Sequence, residues 1–355
     1  MKSKKRATLK DVAQLAGVSL GTASRAVNLT GRVSQEAIAA VNKAAKNLSY
    51  QPDAIAQSMR KKSTGVIGLL VSEFANPLYA KIINAVEVRL QATGYALLLA
   101  NTHNDSKRER AMIDLFKRRR IDGLILGPCE SETTQLIEGL FRERLPAIAL
   151  DRDFGESCSG VHVDHYSGAL NATRYLLNLG HKKIAILTSG SSLRPGRERI
   201  AGFTDAFAER GLKPDQKLIR SKRSSIEFAF SESLALLSSK DPPTAFLCLG
   251  TRILSGVLQG LRHSGRSIPD DVSVISIGDT DLSKLFLPSI TSLTWDLDAV
   301  GTALAELLIK RIDSVAEVEA ERLVITTELV LRESCAPLIT NSKSSRKNIG
   351  KKANL

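Results

Sequence analysis

Apolar and polar positions follow two different rhythms along the chain, and the change between them falls at Ser63. Before it, Val12, Ala13, Leu15 and Ala16 recur at helical spacing behind Thr8, a good N-cap. Asp11, three residues on, completes a capping-box-like start and favours the helix dipole. Gly17 stands where this helix must end, since glycine alone takes a left-handed conformation without penalty. Ser19 caps a second short helix whose Ala23, Ala26 and Val27 turn inward, leaving Leu20, Gly21, Thr22, Ser24, Arg25 and Asn28 facing outward. A third helix, capped by Ser34, runs from Gln35 to about Leu48 with Ala37, Ile38, Val41, Ala44, Ala45 and Leu48 on one face. Pro52 and Asp53 then open a helix of about two turns, to Arg60, too short to be stable alone in water. It is expected to form only against a partner chain and DNA.

After Ser63 the pattern becomes short apolar runs separated by amphipathic stretches. Val66–Val71, Tyr95–Ala100, Ile121–Leu126, Pro146–Leu150, Gly160–Val163, Lys183–Leu187, Ala245–Leu249 and Val272–Ile277 read as strands buried on both faces. Helices are predicted at 77–93, up to Arg119, and at 132–144, 166–179, 197–210 and 252–263. This βα alternation predicts an α/β body with parallel sheets. Two such sheets facing across a cleft place ligands at the carboxyl ends of their strands. From Ala336 onward periodicity disappears, and the basic tail is expected to be disordered.

Charge sharpens this division. Of the net +13, residues 1–62 hold 12 Lys and Arg against 3 Asp and Glu, a net +9. Residues 336–355 add 5 basic residues and no acid, which leaves the body near neutral at −1. A basic N-terminal module on a neutral body fits an arm that meets phosphates. The layout of the first two helices, with polar and basic groups at the outer N-terminal end of the second, is that of a helix-turn-helix.

The remaining composition mostly excludes. No run of 18 apolar residues and no apolar stretch behind MKSKKR appears, so neither a membrane span nor a signal peptide is expected. Cys129, Cys158, Cys248 and Cys335 are scattered without metal-like spacing, as expected for free thiols in a reducing cytoplasm. No P-loop, GxSxG or HExxH pattern is present, so no catalytic residue, cofactor or metal is expected. His162 and His165 with Asp164 imitate a metal site, but three residues near a strand end read better as ordinary loop residues.

TLKDVAQLAGVSLGTASRAVN, LSYQPDAIAQSMR, GVIGLLVSEFANPLYAKI, RRRIDGLILG, VHVDHYSGALNATRYLLNLGHKKIAIL, GRERIAGFTDAF, IPDDVSVISIGD and ITSLTWDLDAVG occur in that order between about residues 7 and 335. Together they resemble the lactose-repressor (LacI/GalR) family of bacterial transcription regulators. The resemblance implies a helix-turn-helix domain at 1–50, a hinge helix at 51–63 and a two-lobed, periplasmic-binding-protein-like domain at 64–335, ahead of the tail at 336–355. It implies a cytoplasmic homodimer that binds a roughly palindromic double-stranded DNA operator, controlled by a small-molecule effector and without enzymatic activity. A cytoplasmic sugar-binding protein or an enzyme on the same two-lobed fold is the alternative.

Carried over position by position, the resemblance puts Leu20, Gly21 and Arg25 at base-reading positions, and Thr8, Thr22, Ser24 and Asn28 near phosphates or bases. Met59 takes the place of the leucine that wedges into a central base step. Effector contacts fall to Leu78, Tyr79, Cys129, Asp151, Asp164, Arg199, Asp279 and Trp295. Two departures bear on the ligand. Gly250-Thr251 replaces the family's usual Asn-Asp, and Gly278-Asp279 replaces Asp-Asp. With Arg194, Arg197 and Arg199 nearby, the loss of two acidic groups predicts an anionic effector such as a sugar acid rather than a neutral sugar.

Overall fold

The computed structural model describes residues 7–51, 63–129, 139–140, 145–153, 158–314 and 319–338. The hinge helix with Met59, nearly all of the helix expected at 132–144 and the tail beyond Leu338 lie outside the described residues. Two compact units divide the chain.

The first unit holds three helices: α1 (Leu9–Ala16), α2 (Leu20–Asn28) and α3 (Gln35–Asn47). Thr8 and Asp11 form a reciprocal capping box, Gly17 takes the left-handed conformation at φ 67°, and Ser19 and Ser34 cap the next two helices. Val12, Ala13, Ala23, Ala26, Val41 and Ala44 make a core of small side chains that lets the helices approach closely. Leu15, expected on the inner face, is instead 54% exposed. Leu9, Ala16 and Val18, partly buried, pack against the core instead.

The second unit is the α/β body, with two six-stranded sheets. In lobe 1 the strands are β1 (Val66–Val71), β2 (Ala96–Asn101), β3 (Gly123–Leu126), β4 (Ala147–Leu150), β5 (Gly160–Val163) and, returning late in the chain, β11 (Arg322–Ile325). Their order is β11-β5-β4-β3-β1-β2. Helix α4 (Pro77–Gln91) and the late helix α11 (Leu297–Asp313) bury Ile82, Val86, Leu90, Val300, Leu304 and Leu308 against this sheet. Helix α5 (Ser106–Arg118) belongs to the same part of the chain.

Lobe 2 orders β12 (Glu328–Val330), β10 (Thr291–Thr294), β9 (Ser273–Ile277), β8 (Ala245–Leu249), β6 (Ile184–Ser189) and β7 (Ile219–Lys222). All these pairings are parallel except that of β12 with β10. Helices α6 (His165–Asn178) and α7 (Arg194–Ala208) cover one face, with Leu176, Phe203 and Phe207. Helices α8 (Ile226–Leu237) and α9 (Ile253–His263) cover the other, with Leu236, Val257 and Leu261, and the short α10 (Asp281–Leu285) follows β9. Helix α7 starts three residues before the expected position 197, with Pro195 in its first turn.

The chain crosses between lobes after β5, after β10 and between β11 and β12. The first and third crossings are tied together: Asp164 N–H donates to the Ile325 carbonyl at 2.9 Å and Thr327 Oγ1 to the Asp164 carbonyl at 3.3 Å. The tail's first residues belong to the body, contrary to expectation. Ala336 N–H donates to Ser273 Oγ at 3.1 Å and Leu338 N–H to the Leu179 carbonyl at 2.8 Å.

Candidate functional site

On the first unit the outward face of α2 is well defined. Leu20 is 53% exposed, Gly21 carries no side chain, and the exposed Arg25 lies one turn on along the same face. Arg25 Nη2 reaches Thr22 Oγ1 at 3.4 Å, and its methylenes pass close to Gly31, where a Cβ would stand 3.2 Å from Arg25 Cδ. Ser19 Oγ accepts from Thr22 N–H at 3.1 Å, so one of the first amides of the helix is satisfied from within. Asn28 donates to the Ser24 carbonyl at 2.7 Å. Thr8 is exposed and engaged with Asp11. Arg25 is therefore the one long polar reach of this face beside an apolar Leu20.

In the second unit a cleft of about 320 Å³ opens at the carboxyl ends of both sheets, within the size range of small-ligand sites. Lobe 1 contributes Ser72, Glu73, Asn76, Leu78, Tyr79, His103, Asn104 and Asp151; lobe 2 contributes Ser189, Arg199, Lys222, Arg223, Gly250, Thr251 and Arg252; Trp295 comes from a crossing. Of the effector residues expected from the sequence, Leu78, Tyr79, Asp151, Arg199 and Trp295 line this space together.

The other three do not. Asp164 is the N-cap of α6, accepting from Ser167 N–H at 2.9 Å, and so serves the crossing. Asp279 borders a neighbouring hollow, where Arg332 and Lys284 hold it. These two cations outweigh burial and keep its carboxyl below the usual range. Cys129 is buried behind β3. Burial first, then the Glu109 charge, push its thiol up to about 11, which leaves it a neutral packing group.

A chain of hydrogen bonds forms the inner end of the cleft. Asp151, in the left-handed region at φ 49°, accepts from Val163 N–H at 2.7 Å through Oδ1 and meets His165 Nε2 at 3.1 Å through Oδ2. Burial opposes its charge, but His165, Val163 and Arg194 hold the carboxyl below its ordinary value. His165 Nδ1 faces Arg199 Nη2 at 3.2 Å, and Arg199 Nη1 donates to the Leu249 carbonyl at 2.9 Å. A guanidinium only donates and an ionised carboxylate only accepts, so His165 is the neutral tautomer with its proton on Nε2. Burial, reinforced by Arg199, pushes its pKa down to about 4. Trp295 packs edge-on to the same ring at 5.8 Å. His165 is thus a fully buried member of the cleft and not a loop residue; among the described residues no group of three or more His, Cys, Asp and Glu is placed to hold a metal.

The charges are not those the sequence pointed to. Arg194 is bound to Asp151, Asp153 and Glu198, and Arg197 to Asp153, so neither offers a free cation to the cleft. Arg199 is 8% exposed, and among the described residues no carboxylate pairs with it. Lys222, Arg223 and Arg252, unmarked in the sequence, line the outer end. Arg199 Nε and Trp295 Nε1, which can only donate, and Ser189 Oγ are buried without a hydrogen-bond partner among the described residues, and all three side chains border the cleft. Their complement is a ligand rich in acceptors.

Comparison with known proteins matches both parts of the chain to known domains. Residues 8–53 match the family described as bacterial regulatory proteins, lacI family, and residues 173–335 match the periplasmic binding protein-like domain. The HTH-type transcriptional repressor PurR of Histophilus somni (strain 129Pt) is 32% identical over 94% of this chain and 100% of its own length. The chain belongs to the LacI family. Among solved structures, the transcriptional regulator CelR–cellobiose complex is 30% identical, covers 93% of this chain and 100% of its own, and has a TM-score of 0.70. The lac repressor dimer bound to operator and the anti-inducer ONPF is 25% identical, with 94% and 100% covered and a TM-score of 0.81. This LacI-family chain is accordingly a DNA-binding transcriptional repressor with an effector-binding domain, not an enzyme. Among the described residues no helix is long and apolar enough to cross a membrane.

Proposed function

We propose that this LacI-family repressor binds a two-fold-symmetric operator as a homodimer and that an anionic, hydroxyl-rich small molecule, such as a sugar acid, governs its affinity from the cleft. Arg25 and Leu20 read bases in the major groove, Leu20 through a thymine methyl and Arg25 through hydrogen bonds. Gly21 offers no side-chain contact, which concentrates the readout on Arg25. Thr8, Thr22, Ser24 and Asn28 lie near phosphates or bases, and the segment at 51–63, through Met59, enters the minor groove between half-sites. Support for the dimer comes from the lac repressor dimer on its operator and from exposed apolar side chains in both lobes, Val88, Leu98 and Leu99 in lobe 1 and Leu285 and Leu287 in lobe 2.

The observation that carries the effector reading is Arg199, a buried guanidinium that has no carboxylate partner among the described residues and shares the cleft with Asp151, Tyr79 and Trp295. Arg199 orients an acceptor, Asp151 takes a hydroxyl, and the Trp295 ring covers an apolar face. A ligand changes DNA affinity only so far as it prefers one arrangement of the two lobes, and Arg199 and Asp151 stand on opposite sides of the division. The test is a thermal-shift and Trp295-fluorescence panel of neutral sugars, sugar acids and purines on the full chain, followed by operator titration with each binder. A sugar acid that raises Tm and changes operator affinity supports the reading. Tighter binding of the neutral counterpart sinks the charge argument and leaves the repressor.

A further inference from the structure

The cleft carries more positive charge than one carboxylate answers. Its lining holds the cations Arg199, Lys222, Arg223 and Arg252 against the carboxylates Glu73 and Asp151, an excess of two cations over carboxylates. The excess lies at the outer end. Among the described residues Lys222 and Arg223 make no ion pair, while Arg252 meets Glu73, at 3.3 Å across the two lobes, and its charge also reaches the exposed Glu227 on α8.

Local structure gathers these three cations. Lys222 ends β7, and the following loop leads through Ser224 and Ser225 into α8. Gly250 follows β8 directly, and the chain then leads into α9. A Cβ at Gly250 would stand 2.5 Å from Ser224 Oγ and 2.7 Å from Ile253 Cδ1, so the absence of a side chain there lets the two loops close on each other. Helix α9 starts without a side-chain cap, so its first amide groups and dipole add positive potential beside Arg252. Guanidinium forks, a lysine, two serine hydroxyls and a helix start make a setting for a compact dianion.

We infer that the effector is a phosphate monoester, with its phosphate at Lys222, Arg223 and Arg252 and its hydroxyl-rich body at Arg199, Asp151 and Trp295. This rests on the proposed effector role of the cleft and names the anionic group. A phosphate monoester carries about −1.5 to −2 charges at neutral pH, which matches the excess; a monocarboxylate leaves a cation unanswered. Glu73 competes with the phosphate for Arg252, so the ester displaces a contact that joins the lobes, and this couples binding to lobe arrangement.

The test is calorimetric titration of the full chain with glucose, gluconate, glucose 6-phosphate, 6-phosphogluconate, AMP and inorganic phosphate. At least one ester is expected to bind ten-fold or more tightly than its unphosphorylated parent, and AMP against the sugar esters tells a nucleotide from a sugar source. Lys222→Ala with Arg223→Ala, both exposed, should remove that advantage, weakening the ester ten-fold or more beyond any change in its parent. Glu73→Gln should act oppositely and strengthen the ester several-fold. If a parent binds as tightly as its ester, or the double variant weakens both alike, the phosphate site is wrong and the effector cleft stands. If no compound binds while operator DNA still does, both readings fall.

Discussion

Arg199 and Asp151, on opposite lobes, share one neutral imidazole: His165 accepts from Arg199 Nη2 at 3.2 Å and donates to Asp151 Oδ2 at 3.1 Å. The ring transmits the hydrogen bond without carrying charge, so the guanidinium remains uncancelled by direct contact although a buried carboxylate lies one side chain away.

This arrangement predicts a pH dependence. His165 is held at about 4 in the folded protein against 6.5 when free, so between these values the unfolded chain binds the extra proton. Stability is therefore fully present above pH 6.5 and falls as pH drops toward 4, with a slope from this group of up to about 1.4 kcal/mol per pH unit. His165→Gln removes that proton linkage. The stability gap between wild type and variant in urea unfolding should narrow steadily from neutral pH into the acid range. A gap that stays constant would mean that His165 protonates equally in both states.

The DNA-reading face makes a separate prediction. Arg25 is the only long polar side chain among Leu20, Gly21 and Arg25, so Arg25→Ala should cost about 1–3 kcal/mol against a selected operator. Non-specific affinity should change little by comparison. Competition gel shifts with operator and scrambled DNA separate the two, and equal operator affinity for both proteins would remove Arg25 from the readout.

Much of this architecture was legible in the sequence, for a physical reason. Continuous apolar runs such as Val66–Val71 and Ala245–Leu249 are central strands with both faces covered, and Thr8, Gly17 and Ser19 mark helix ends by local chemistry. The edge strand Ile219–Lys222 escaped because its residues are half-buried or exposed and half of them are charged. With it went Lys222, Arg223 and the loop they stand on. The helix Leu297–Asp313 was also not singled out; it packs on lobe 1 although it follows lobe 2 strands, and only the crossings decide that. His165 looked like a loop residue because its partners, Asp151 and Arg199, are 14 and 34 positions away. Arg194 and Arg197 misled because sequence shows charge but not which carboxylate has already taken it.

Close packing of α8 on α9 rests on Gly256. A Cβ there would run into the Ile226 carbonyl and stand 2.6 Å from Ala229 Cβ and 2.7 Å from Phe230 N. Two of these three obstacles are backbone, which cannot rotate aside. Gly256→Ala should therefore destabilise by about 1–3 kcal/mol, as overpacking does, despite the better helix propensity of alanine. Thermal unfolding checks the sign: a raised Tm would show that the two helices separate freely, and with them the Lys222 and Gly250 loops.

The last prediction concerns what holds Asp151 in its left-handed conformation. Its neighbour Arg152 is buried, grips both carboxylate oxygens of the fully buried Glu109 on α5, and donates to the Gly127 carbonyl at 3.3 Å. A non-glycine residue at φ 49° is strained, so the surrounding structure must fix it, and a two-pronged buried ion pair on the next residue is suited to that task. Glu109→Gln leaves the Arg152 charge buried without its carboxylate and should cost about 3–5 kcal/mol. Glu109→Leu with Arg152→Met, which removes both charges, should recover much of that stability. It should not recover the cleft, because an unbranched thioether offers no directional hold on the turn, and ligand affinity is expected to stay reduced by ten-fold or more. Recovery of stability and of affinity together would show that the ion pair serves packing alone and that Asp151 is fixed by Val163 and His165.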